Sequence, residues 1–324
     1  MSALRIGSRG SALALWQANF IRGRLHEIAG IESEIAVIRT SGDRFPQAAI
    51  SALSVKGVFI KELEDALLDR SVDLAVHSMK DVPTQIPEGL VFPAIPRRED
   101  PSDCLVSGSG ANWQELPPRA RVGTGSLRRQ AQLLRVRPDL GIRELRGNVD
   151  TRLKKLDAGE FDAIVLAKAG LDRLGLSQRI TEVFSLETML PAVGQGALGI
   201  ECRADDQPTR ALLEKLDHLE TRAAVTAERT LLAELEGGCQ VPLGAHGRVA
   251  NGRLILDAVV LALDGTDALR RAASGDPSQA EEIGWRLGRE LIAAGAGRIL
   301  EMAGRTLSTP KTGEQREHKA WEQA

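Results

Sequence analysis

The sequence predicts an α/β fold: two α/β domains, the chain leaving the first, building the second and returning, followed by a smaller α+β C-terminal domain. Three observations predict it. Through the first two-thirds, short apolar runs alternate with amphipathic helical segments, the βαβα rhythm of mainly parallel sheets. Two proline-marked stretches, 93–101 and 191–196, read as crossings between domains. Beyond about Asp217 the texture changes to helix, three strands and helix, which no longer alternates.

In order, residues 4–7 form an apolar strand, 11–29 carry apolar residues at helical spacing, and 33–39 return to a strand. Residues 58–69 read as a helix and 72–76 as a strand. The rhythm resumes with a strand at 121–122, a helix at 127–136, a strand at 142–145, a helix at 149–158 and a strand at 163–166. The last domain reads as a helix at 221–235, strands near 245–249, 253–263 and 268–273, and a helix at 279–293. The expected domains are therefore 1–97 with 195–216, then 98–194, then 217–304, with a polar tail over 305–324.

At 324 residues and 43% hydrophobic, the chain can bury several cores. No apolar run reaches membrane-spanning length, and the first residues lack the apolar region of an export signal, so a cytoplasmic protein is expected. The formal net charge of −2 argues against a generic nucleic-acid binder. The 3 cysteines make no disulfide framework and no zinc spacing, so a reducing compartment and no metal are expected. Within that balance stands a basic island: Arg119, Arg121, Arg128, Arg129, Arg135, Arg137, Arg143, Arg146 and Arg152 against only Asp139, Glu144 and Asp150.

Polar residues concentrate where predicted strands end, the place where α/β sheets bind ligands. His77-Ser78-Met79-Lys80-Asp81 leaves a strand; Asp81 suits cation stabilisation or proton handling, while His77 beside the apolar run reads as structural. Gly123-Thr124-Gly125-Ser126-Leu127-Arg128-Arg129 opens a helix after a strand, a setting for anions, but lacks the third glycine of a dinucleotide loop and the Walker lysine. Adjacent arginines at a helix start point in different directions, so Arg128 and Arg129 are expected to serve two separate carboxylates or phosphates. Arg146 and Arg152 repeat the arrangement, and Ser8-Arg9-Gly10-Ser11 offers another polar strand-to-helix turn. Glu236-Gly237-Gly238-Cys239 places a thiol on a glycine bend after a helix, presented rather than packed, whereas Cys104 and Cys202 read as structural.

These motifs, together with Ser11-Ala12-Leu13-Ala14-Leu15-Trp16-Gln17, Lys61-Glu62-Leu63-Glu64 and Leu145-Arg146-Gly147-Asn148-Val149-Asp150-Thr151-Arg152, closely resemble the porphobilinogen deaminase (hydroxymethylbilane synthase) family from Leu4 to about Gly304. The resemblance implies two periplasmic-binding-protein-like α/β domains and a transferase of haem and porphyrin biosynthesis. Such an enzyme condenses four porphobilinogens head to tail, with loss of ammonia, to hydroxymethylbilane. It implies a dipyrromethane cofactor held by a thioether to Cys239, with Asp81 as the catalytic carboxylate stabilising the cationic azafulvene. It implies that Arg9, Arg128, Arg129, Arg146, Arg152 and Arg173 bind acetate and propionate groups, aided by Ser11, Ser78, Lys80, Thr124, Ser126 and Gln195. A monomer with no nucleic-acid or membrane partner is expected.

One region departs from the family pattern. Leu53-Ser54-Val55, rather than a glycine-rich loop, precede Lys56-Gly57-Val58-Phe59; the loop 43–57 is read as a lid and Lys56 is given no catalytic role. Two other classes fit parts of the chain. A two-domain carboxylate-binding receptor or effector-sensing module would use the same arginines but needs neither Cys239 nor Asp81. Thiol acyl transfer would need a base for Cys239, with His246 the nearby candidate.

Overall fold

The computed structural model describes residues 3–38, 60–235 and 241–302. The chain begins with β1 (Leu4–Ser8), α1 (Ala12–Ala29), β2 (Ser33–Val37), α2 (Lys61–Leu68), β3 (Leu74–Ser78) and β4 (Leu90–Ala94). It continues through β5 (Asp103–Ser107), β6 (Arg121–Gly123), α3 (Leu127–Val136), β7 (Gly141–Arg143), α4 (Val149–Asp157), β8 (Ala163–Ala167), α5 (Lys168–Arg173) and β9 (Glu182–Val183). The remainder is β10 (Leu198–Arg203), α6 (Gln207–Leu213), α7 (Leu219–Glu234), β11 (Leu243–Ala250), β12 (Arg253–Leu261), β13 (Ala268–Gly275), α8 (Ala280–Ala293) and α9 (Ala296–Met302). The strand expected at 72–76 runs later, because the Val72 N–H is used by the turn leaving α2, donating to Ala66 O, while Ser78 still pairs with Leu198. The lid reading at 43–57, Lys56, Cys239 and the tail 305–324 lie outside the described residues.

The described residues up to Arg98, with Ala197–Arg222, form one compact unit; Glu99–Gly196 and the described residues from Ala223 onward form a second. The chain thus changes unit at 98–99 and 196–197, within or beside the two proline-marked stretches, and again at 222–223.

The first unit carries one sheet in the order β2-β1-β3-β10-β4. β1 is parallel to β2 and β3, while the returning β10 is antiparallel to β3 and β4. Alternation across the pleat serves both faces: Ile6, Leu74 and Val76 pack with Ala18, Ile21 and Leu25 of α1, whereas Ala75 packs with Leu63 and Leu67 of α2. Each fully buried leucine or isoleucine among them contributes about 1.5–3 kcal/mol. Double-sided burial is why β3 reads as a continuous apolar run.

The second unit holds a sheet ordered β7-β6-β8-β5-β9 and an antiparallel one ordered β11-β12-β13. In the first of these β6 is parallel to β7 and β8, and β5 is antiparallel to β8, so again the strand that follows a crossing runs against its neighbours. A small cluster of Ala131, Leu190, Val259 and Leu261 joins α3 to β12. Glu228 on α7, fully buried, accepts from the N–H groups of Gly194 and Gly247 at 2.6 and 2.7 Å. Gly196 has φ +85° and a Cβ there would lie 2.6 Å from Glu99 O, so the crossing tolerates only glycine.

Candidate active site

In the first unit, polar groups gather where β1 and β3, two parallel strands, end. Ser11 caps α1: its Oγ accepts from Ala14 N at 3.3 Å, which commits that hydroxyl to starting the helix. Gln17, one turn later and buried, donates from Nε2 to Ser78 Oγ at 2.9 Å, tying α1 to the end of β3. The chain then makes a 3-10 turn over Met79–Asp81. Met79 is buried and its N–H donates to Ala197 O at 3.0 Å, so the turn is pinned from below. Lys80 is left half-buried and Asp81 exposed beside it, and Arg9 is half-buried in the β1–α1 turn.

Behind that turn, His77 Nε2 lies 2.9 Å from Glu201 Oε2, both groups being nearly or wholly inaccessible. His77 is therefore built into the sheet interior, consistent with its structural reading. Glu64 on α2 belongs to the same buried group of charges. Burial first, and Glu201 second, push its carboxyl up to about 7, against the opposite pull of His77.

In the second unit the β6–α3 turn is shaped by its own hydroxyls. Thr124 Oγ1 accepts from Ser126 N at 3.1 Å, and Ser126 Oγ caps α3 by accepting from Arg129 N at 3.4 Å. A Cβ on Gly125 would lie 2.9 Å from Leu145 O, so only glycine lets this turn pass so close to the loop after β7.

Arg128 and Arg129, 3% and 5% exposed, do not diverge to separate acids as adjacent helical positions suggested. Both reach Asp103, which opens β5 and is fully buried. Neighbours on a helix are about 100° apart, but two long side chains converge on a carboxylate lying between them, one on each oxygen. Arg128 Nη1 donates to Asp103 Oδ2 at 2.6 Å and to Leu190 O at 2.6 Å. Arg129 donates from Nε and Nη2 to Asp103 Oδ1 at 3.0 and 2.7 Å, and from Nη1 to Val165 O at 2.9 Å. Gln195 Nε2 joins them on Oδ1 at 2.8 Å and also donates to Pro101 O. Burial pushes the Asp103 carboxyl up, but the Arg128 and Arg129 guanidiniums outweigh it and hold it well below the usual carboxylate range.

The remaining arginines, Arg173 and others of the basic island, divide. Arg173, buried, donates from Nη2 to Gly196 O at 2.8 Å, and burial lowers its pKa. Arg152 Nε donates to Gly147 O at 2.7 Å across the loop after β7. Arg146 pairs with Glu144 at 2.6 Å, Arg137 with Asp139 at 2.7 Å, and Arg121 with Asp162 at 2.7 Å, all partly exposed pairs worth little each. Sequence proximity thus groups arginines that the fold uses differently. Asp103 and Gln17 escaped the sequence reading; the available signal was an acid opening an otherwise apolar strand, since aspartate is almost never fully buried unless paired.

The donor set suits a ligand bearing carboxylates. Two buried guanidiniums share one carboxylate, leaving an excess positive charge, and Arg128 Nε is buried with no hydrogen-bond partner among the described residues. Among the described residues no group of three or more His, Cys, Asp or Glu could hold a metal, and no helix is long and apolar enough to cross a membrane.

Two family models match the chain: "Porphobilinogen deaminase, dipyromethane cofactor binding domain" over residues 4–211 and "Porphobilinogen deaminase, C-terminal domain" over residues 222–293. A porphobilinogen deaminase from Syntrophobacter fumaroxidans is 50% identical over 299 residues, covering 92% of this chain and 97% of that protein. One from Desulforudis audaxviator is 54% identical over 299 residues, covering 91% and 96%. Among solved structures, an ABC transporter periplasmic substrate-binding protein from Coxiella burnetii matches with a TM-score of 0.42 and 14% identity, covering 66% of this chain and 91% of that one.

Proposed function

Because the chain belongs to the porphobilinogen deaminase family, we infer that it is a transferase of tetrapyrrole biosynthesis that joins four porphobilinogens head to tail into hydroxymethylbilane. The observation that carries this reading is the family model over residues 4–211, which is named for a dipyrromethane cofactor. When bound, that group supplies the pyrrole carbon on which the chain is extended. The carboxylate receptor finds no support among the relatives.

The residue roles follow as our proposal. Cys239 holds the cofactor by a thioether and is an anchor, not a turnover nucleophile. As the aminomethyl C–N bond of porphobilinogen breaks, ammonia leaves with the electron pair and the ring becomes cationic. Asp81 would supply a fixed negative charge for that cation, accept a pyrrole N–H hydrogen bond, and take up the proton released on C–C bond formation. Arg9, Lys80, Arg128, Arg129, Arg146, Arg152 and Arg173 neutralise the carboxylates that accumulate as the chain grows, with Ser11, Ser78, Thr124, Ser126 and Gln195 as polar neighbours. What supports these assignments is the excess buried positive charge around Arg128 and Arg129, and the exposed Asp81 at the carboxyl end of β3.

We further propose a monomer, and a cytoplasmic location, the latter in keeping with the free thiols Cys104 and Cys202, which suit a reducing compartment. Three sheets support the division into 1–97 with 195–216, 98–194 and 217–304. Intact-mass measurement tests the whole reading: purified protein should carry a covalent dipyrrole, and protein that neither carries nor gains one with porphobilinogen overturns it. Asp81→Asn should lower turnover by about 10²–10³-fold, the cost of losing one well-placed electrostatic group, with its melting temperature unchanged.

A further inference from the structure

Arg128, Arg129 and Gln195 all meet on Asp103. The cluster lies wholly within the second compact unit, on β5, α3 and the segment before the crossing at 196–197. Each arginine has a second tether on a backbone carbonyl, Leu190 O for Arg128 and Val165 O for Arg129. Their guanidinium planes are therefore fixed from two sides.

The charge balance is unusual for a purely structural pair. A buried ion pair that serves stability gains by cancelling charge, and an extra cation in the same place adds desolvation cost without adding a partner. Among the described residues the two guanidiniums share one carboxylate, which leaves one positive charge in excess, and the buried Arg128 Nε–H has no hydrogen-bond partner there. An isolated Arg128–Arg129 pair would repel and swing apart on flexible stems; with a second internal acid it would be neutral and indifferent to anions.

We propose that Asp103 is a positioning residue for ligand binding, holding Arg128, Arg129 and Gln195 in one rigid array and cancelling only one of the two guanidinium charges, so that one preset cationic site remains for a carboxylate of the substrate or growing chain. The proposal rests on the family reading of the reaction. It assigns to Asp103 no contact with substrate; the effect passes through the arginines.

Asp103→Asn keeps the size and removes the charge, Asp103→Glu keeps the charge but moves it by one methylene, and Leu133→Ala, in the α3 core, lowers stability without touching the array. Full-length variants are compared by intact mass before and after mixing with porphobilinogen, by KM and kcat of the loaded fraction, and by melting temperature. At a temperature where all are folded, Asp103→Asn should load a roughly tenfold smaller fraction and show a KM raised roughly tenfold, the loss of one charge-assisted contact. Asp103→Glu should fall between it and wild type, and Leu133→Ala should load and bind as wild type does. Wild-type loading and KM in Asp103→Asn, or the same defect in Leu133→Ala, would overturn the proposal. If Asp103→Asn fails to fold, Asp103→Glu decides: a raised KM at wild-type stability supports the array, and a wild-type KM rejects it. A wild-type protein that gains no adduct would instead sink the family reaction, and this proposal with it.

Discussion

Arg128 shows how a side chain proposed to bind ligand can also hold the fold. Its Nη1 is committed to Asp103 and Leu190 O, while Nε keeps a buried N–H without a hydrogen-bond partner among the described residues. Arg128→Leu should therefore block cofactor loading while leaving a folded protein, because Asp103 keeps Arg129 and Gln195 as partners. The expected stability loss is about 1–3 kcal/mol, that of one buried hydrogen-bonded partner rather than of an orphaned charge. Normal adduct mass and normal turnover in that variant would defeat the assignment. The arginines were legible in the sequence because residue type and position after a strand suffice to suggest anion binding. Asp103 was not, because its partners lie 25, 26 and 92 residues away and only the folded sheet brings them together.

Helices and parallel strands were legible because their hydrophobic periods are local: α1, α3 and β8 fall where the pattern put them. The segments around Cys104 and Cys202 read as strand-like, but the bounds and direction of β5 and β10 were not legible, since their antiparallel pairing is fixed by a chain returning from elsewhere. At Gly196, where that return begins, Gly196→Ala should cost about 1–3 kcal/mol through a positive φ and a clash with Glu99 O, read by chemical denaturation. The α2–β3–β10 contact carries a pH dependence through Glu64, whose carboxyl rises from 4.5 to about 7 by burial and then by Glu201. The folded chain holds a proton that the unfolded chain releases, so this contribution is complete below pH 4.5 and is lost as pH rises through about 7. Glu64→Gln should flatten the fall in melting temperature across that window; an unchanged pH profile would show that the group does not titrate there.

For the whole molecule, charge and stability are coupled through the ligand. If Cys239 anchors the cofactor as proposed, Cys239→Ala should give a mass equal to the polypeptide alone, and a lower melting temperature than the loaded protein, because a group bound only by the folded chain stabilises it. Equal melting temperatures would argue that the buried positive charge is satisfied without the cofactor. The sequence by itself determined the α/β class, the crossings near 93–101 and 191–196, and the family, because periodicity, proline punctuation and contiguous motifs are written in neighbouring residues. The tertiary structure alone decided which arginines of the basic island form partly exposed pairs and which are buried together on Asp103, and that Glu201 is the partner of His77. The physical reason is that desolvation and charge compensation depend on partners distant in sequence, so an arginine's role is set by the acid that the fold places beside it.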